Sequence, residues 1–192
     1  MSHTLYYHGE CKVFWGRAWA PVAIMKHAGK EFTVAAPDQV APNCGFAPPW
    51  IKVPSGETLA QTNVIVAYLG RQCGLAPAGE IADCQAMQLL EDASDIFTEI
   101  GADKPAERIN KWLAYFSSRL HASGFFFEKV SYADFGLYVV LDSILAKKAA
   151  GKLADVEFGE KLTKWHTETM ASLPAVAEMK ASGLPILPPQ MV

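Results

Sequence analysis

Residues Phe46 to Leu75, FAPPWIKVPSGETLAQTNVIVAYLGRQCGL, constrain the fold more than any other stretch of the chain. Two prolines precede a short apolar strand, Trp50 to Val53. Pro54-Ser55-Gly56 supplies a turn, and Thr58 to Ala60 reads as a second strand. Gln61-Thr62-Asn63 then opens an amphipathic helix that stops at Gly74. A helix entered in this way presents free backbone N–H groups and the positive end of its dipole. Such an end suits a carboxylate or a phosphate. The order of elements sets the helix start beside Pro48-Pro49, and the two together suit a small, peptide-like anion.

Composition narrows the partners. The chain has 192 residues, 51% hydrophobic and 19% charged, with a formal net charge of −3. That is an ordinary balance for a chain that buries its own core. No basic stripe or Arg-rich arm is present, which argues against nucleic acid. No apolar run reaches the ~20 residues of a membrane helix, so no membrane partner is expected. The start, Met1-Ser2-His3-Thr4-Leu5, lacks the features of a signal peptide. Cys11, Cys44, Cys73 and Cys84 form no C-x-x-C pair and the histidines lack ligand spacing, so no metal is expected. Scattered cysteines in an unsignalled chain imply reduced thiols and a cytoplasmic location.

Secondary structure changes character along the chain. Thr4 to His8 reads as a strand, Ala20 to Ala28 as a helix ended by Gly29, and Glu31 to Ala35 as a second strand. Ala76-Pro77-Ala78-Gly79-Glu80 reads as a linker. Beyond it the patterns are helical: Asp83 to Ile100, Ala106 to Ala122, Ser131 to Ala150, Glu157 to Ser172 and Pro174 to Ala181. The third of these carries Ser131 and Asp134 in capping-box spacing. It is apolar almost all round over Phe135 to Leu145, as a helix at the centre of a domain would be. The Pro-rich tail, Pro185 to Val192, is expected to be loosely held.

The segment Gln61, Thr62, Asn63, Ile65, Tyr68, Leu69, Gly70, Arg71, Gly74, Leu75 resembles the glutathione-binding pattern of the cytosolic glutathione transferases. Val130-Ser131-Tyr132-Ala133-Asp134-Phe135 and Leu173-Pro174-Ala175-Val176 resemble two further family segments, in the family's order. The resemblance covers nearly the whole chain and is nearest the Tyr-type sigma/mu/pi group. It implies an α/β thioredoxin-like domain over 1–76 and an all-α domain over 83–192. It also implies conjugation of the glutathione thiol to small apolar electrophiles, with glutathione as co-substrate, no bound cofactor and a homodimeric assembly. Two other readings share the fold: a glutathione-dependent isomerase or peroxidase, and a catalytically weak binding or structural relative.

The resemblance also assigns roles to residues. A free thiol ionises near 8.5, so the family stabilises the thiolate with a hydroxyl. In some branches this is a Ser or Cys before the first helix; here that place falls near Phe14 and Trp15, and Cys11 comes too early. The strand end offers Tyr6 or Tyr7, which face opposite ways. The family's Leu-x-Tyr-Phe strand end selects Tyr7. Gly16-Arg17-Ala18 matches the opening of the family's first helix, which makes Arg17 a catalytic neighbour. Pro49 matches the cis-proline, and Pro48 offers glutathione a carbonyl but no N–H. Gln61 and Thr62 would hold the γ-glutamyl end, while Asn63 is expected to be structural. Asp92 matches a carboxylate that reaches the γ-glutamyl amine across a dimer interface, and Phe46 resembles an aromatic key inserted into the partner. Phe14, Trp15 and Phe97 are candidates for the electrophile pocket. No Trp or Lys lies between Thr33 and Gly45 to grip the glycine carboxylate, which leaves Arg17 or Lys12.

Overall fold

The computed structural model describes residues 2–40, 44–102 and 104–192. Met1, residues 41–43 (Pro42 among them) and Asp103 lie outside the described residues. Four strands form one mixed sheet: β1 (His3–Tyr6), β2 (Phe32–Ala35), β3 (Trp50–Lys52) and β4 (Thr58–Ala60), in the order β2-β1-β3-β4. β1 runs parallel to β2 and antiparallel to β3, and β3 is antiparallel to β4. The parallel pair needs a crossover, which α1 (Trp19–His27) provides. α2 (Thr62–Gln72) follows β4.

The rest is helical: α3 (Glu80–Gly101), α4 (Ala106–Arg119), α5 (Tyr132–Ala149), α6 (Gly159–Lys164) and α7 (Pro174–Ala181). α6 continues into a wider π-type turn, Trp165–Met170. The expected single helix over 157–172 is therefore two pieces of different pitch. Among the described residues no helix is long and apolar enough to cross a membrane.

α5 is the centre of the molecule, as its apolar circumference requires. Phe135, Leu137, Leu141 and Ile144 are fully buried. Its start is fixed by Asp134, whose carboxylate accepts the Ser131 N–H at 2.9 Å, the Phe126 N–H at 3.1 Å and the Trp165 indole N–H at 3.1 Å. One buried side chain thus ties the helix start to the loop at Phe126 and to the π-type turn at Trp165. Trp19 of α1 stacks on Tyr138 of α5, with ring centroids 4.4 Å apart. This contact joins the sheet half to the helical half. Gly70 makes a second junction, because a Cβ there would sit 2.4 Å from the Tyr132 ring.

The tail is not loosely held. Trp15 and Gly16 donate their backbone N–H groups to the carbonyls of Pro185 and Ile186 at 2.9 and 2.8 Å. Ile186 and Leu187 are buried. The prolines that suggested a free end remove donors, yet their carbonyls still accept.

Candidate functional site

Strand register builds the first wall of the site. Tyr6 pairs with Trp50, and Trp50 with Ala60. One step further along all three chains come Tyr7, Pro49 and Gln61, set in a row at one end of the sheet. The peptide between Pro48 and Pro49 is cis. Tyr7 closes the β1 end, its N–H donating to Ala35 at 3.0 Å.

Tyr7 is 6% exposed, and its phenolic oxygen accepts the backbone N–H of Arg17 at 3.0 Å. Among the described residues nothing accepts the proton of the phenol itself. The close approach depends on Gly16, which has φ +51°, and a Cβ there would lie 2.3 Å from the Tyr7 hydroxyl. Burial raises the Tyr7 pKa above 10.0, against the Arg17 N–H, which lowers it. The phenol therefore remains a proton donor at neutral pH. It can give a hydrogen bond to an anion while its oxygen is held from behind.

Gln61 turns the chain into α2 with φ 70° and ψ 125°. A non-glycine residue in this region is strained, a cost tolerated mainly where the conformation serves a site. No side chain caps the helix. Ile65 N–H already closes the first turn on the Gln61 carbonyl, so the N–H groups before it remain for an incoming acceptor. The Thr62 hydroxyl is buried without a partner. An orphaned buried hydroxyl costs about 1–3 kcal/mol, and an anion seated on the helix end would satisfy it. Thr62 does not cap α2; it lines a small cleft of about 50 Å³ with Arg17, Asn63, Ser94 and Phe97. The Asn63 amide donates across to α3, to the Leu90 carbonyl at 3.1 Å and Ser94 Oγ at 3.0 Å. That bond network holds α2 against α3 beside the cleft.

The remaining candidates are distributed unevenly. Arg17 is exposed, with its guanidinium 5.6 Å from the Phe97 ring centre. Phe97 lines both this cleft and a larger one of about 560 Å³. Phe14 packs edge-on to Tyr7 at 6.0 Å. Trp15 is half-buried with an unpartnered indole N–H. Neither lines the two clefts. The Asp92 carboxylate accepts the Tyr115 hydroxyl at 2.7 Å within the same chain. Lys12 is paired with Glu10. Burial pushes the Cys11 thiol up to about 12, which leaves it a neutral core group. Phe46 is fully exposed, at 101%.

The sequence reading missed the far wall of the larger cleft. Lys147, Lys152, Leu187 and Met191 stand there opposite Phe97. Only the break in the apolar surface of α5 at Lys147 hinted at it.

Comparison with known proteins fits this geometry. Residues 82–183 match the family model of the glutathione S-transferase C-terminal domain. The glutathione S-transferase of Ascaris lumbricoides is 22% identical, with a TM-score of 0.71 over 94% of this chain and 97% of that one. The pi-class glutathione S-transferase of Onchocerca volvulus is 20% identical, with a TM-score of 0.73 over 97% and 98%. A glutathione transferase family member from Pseudomonas fluorescens, solved with two glutathione bound, is 16% identical, with a TM-score of 0.71 over 92% and 91%. A comparison with curated protein sequences finds no match. The domain model spans more than half of the chain and these structures share its whole fold, so the chain belongs to the glutathione transferase family.

Proposed function

We propose that the chain is a Tyr-type glutathione transferase that conjugates glutathione to small apolar electrophiles. The observation that carries this is the Tyr7 phenol: buried, held by the Arg17 N–H at 3.0 Å, and with its own proton uncommitted. The γ-glutamyl carboxylate sits on the open N–H groups of α2 and takes the Thr62 hydroxyl. Pro48 offers its carbonyl to the cysteinyl N–H. The thiol then lies near Tyr7, whose hydroxyl donates to the sulfur and favours the thiolate. A hydrogen bond to a charged group is worth about 1.5–3 kcal/mol, enough to lower the thiol pKa by roughly one to two units. The sulfur pair attacks the electrophilic carbon and forms a C–S bond. With an aryl chloride, chloride leaves with the bonding pair. Arg17, exposed beside Phe97, supplies positive charge for the glycine carboxylate.

Phe46 projects fully from the surface, which fits an aromatic key buried in a homodimer. Cys11, Cys73 and Cys84 carry free thiols, which fits a cytoplasmic protein. A second reading, a glutathione-binding relative with weak turnover, is favoured by Pro48, which lacks the N–H that would close the backbone pair with glutathione. Retention on immobilised glutathione and turnover of chlorodinitrobenzene separate the two. The first reading predicts both; binding without turnover establishes the second. Failure to bind glutathione removes both.

A further inference from the structure

The larger cleft lies between the end of α3, the end of α5 with the turn that follows it, and the tail. Phe97, Leu187 and Met191 give it apolar surface, and Lys147 and Lys152 stand among them. Lys147 is 8% exposed. Its ammonium donates to the Ile100 carbonyl at 3.2 Å, which caps the last turn of α3. An ammonium has three donors, and that bond uses one. Among the described residues no carboxylate forms an ion pair with Lys147. Lys152 is exposed and donates to the Val192 main-chain oxygen. Helix capping explains one bond of one lysine. A buried cation without a counter-charge is costly, and an anion entering the cleft would relieve that cost.

We propose that this cleft selects an electrophile bearing an anionic group, a carboxylate or sulfonate on an apolar body. This rests on the proposed function, because Phe97 also lines the smaller cleft beside Arg17 and Thr62, where glutathione is proposed to bind. The anionic end binds Lys147, with Lys152 at the rim. The apolar body lies along Phe97 and Leu187, and its reactive carbon lies at the Phe97 end, toward the smaller cleft that Arg17 and Thr62 line. The uncharged electrophiles that a plain apolar pocket would favour are then the weaker ligands.

The test is calorimetric titration of the full chain with naphthoate and with naphthamide, which share a shape and differ in charge. Naphthoate is expected to bind about tenfold more tightly, with the advantage shrinking as salt rises. Lys147→Met abolishes the advantage, and Lys152→Met reduces it. Equal affinity for the two ligands in the unaltered protein overturns the proposal, and that arm needs no variant to fold. So does binding of neither ligand, or an advantage that survives both substitutions. Turnover of uncharged chlorodinitrobenzene is measured alongside. Turnover with equal naphthoate and naphthamide binding keeps the conjugating function and removes the anion selectivity. A naphthoate preference without turnover keeps the cleft and removes the function.

Discussion

On the sheet side, Tyr7, Pro49 and Gln61 stand in a row because three strands share one register. On the helical side, Phe97, Lys147 and Leu187 meet although they come from α3, α5 and the tail. The first wall is made of backbone: a cis peptide, an open helix end and an N–H behind a phenol. The second is made of side chains whose meeting depends on how whole helices pack. The backbone groups of the first wall stay whatever neighbouring side chains become, and the Tyr7 phenol and Thr62 hydroxyl are the side chains it depends on. A wall of side chains can be re-cut residue by residue. In the proposed reaction, glutathione is the constant substrate and belongs on the first wall, and the electrophile, which varies, belongs on the second.

The sharpest way to break this contrast is to damage the helical side without touching the chemistry. Asp134→Ala leaves the Phe126 and Ser131 N–H groups and the Trp165 indole unpaired. At about 1–3 kcal/mol for each, stability should fall by at least about 3 kcal/mol. Thermal melting should show Tm lowered by roughly 6–12 °C. The kcat/KM per folded molecule should stay within about twofold. On the sheet side the opposite is expected. Tyr7→Phe should lower kcat/KM about 10- to 100-fold, the worth of a hydrogen bond to a charge, and should lower Tm less than Asp134→Ala does, because one N–H, that of Arg17, loses its acceptor.

Smaller changes sharpen the contrast further. Gly16→Ala places a methyl 2.3 Å from the Tyr7 hydroxyl at φ +51°. Steady-state assays should show about tenfold lower kcat/KM, because the phenol must move. Thr62→Val separates binding from stability. The KM for glutathione should rise about fivefold through loss of one hydrogen bond, while the free protein melts no lower, since its orphaned hydroxyl is gone.

The smallest effect concerns the junction of α2 with α3. Asp83 accepts from Arg71 at 2.7 Å and from Tyr132 at 2.7 Å. Burial raises the Asp83 pKa, but those two hydrogen bonds outweigh it and the net shift is downward. The stabilisation is therefore present above the ordinary carboxylate value near 3.9 and is lost as pH falls through the lower folded value. The Arg71 side chain is half exposed, so Arg71→Met should cost under about 1 kcal/mol at neutral pH. Urea unfolding at neutral and acid pH checks both the size and the sign.

The same contrast explains what could be read from the sequence. The pattern from Phe46 to Leu75 is local, and each signal in it acts within a few residues: the turn at Pro54-Ser55-Gly56, the helix stop at Gly74, the helix entry at Gln61. The strands and helices therefore stood near their observed ends. Lys147 and Lys148 are adjacent at the end of α5 and look alike in sequence, two cations complementing a helix C-terminus. In the fold, Lys148 reaches the Ala154 and Val156 carbonyls, whereas Lys147 is buried against α3. No local rule separates them, because α5 has no polar face to orient it. The tail misled for a related reason. Its prolines signal the loss of donors, while the donors that hold it belong to Trp15 and Gly16, far away in sequence. Asp92 accepts the Tyr115 hydroxyl of α4 on one oxygen, which leaves its other oxygen for a further donor.

The central claim is that the Tyr7 phenol keeps the sulfur of bound glutathione ionised. It is tested most directly by titrating the ultraviolet thiolate band of the glutathione complex with pH, in the unaltered protein and in Tyr7→Phe. The unaltered complex should titrate one to two units below the free thiol value of about 8.5, and the variant should return to it. The same low midpoint in both proteins, or a midpoint at the free value in both, would contradict the account.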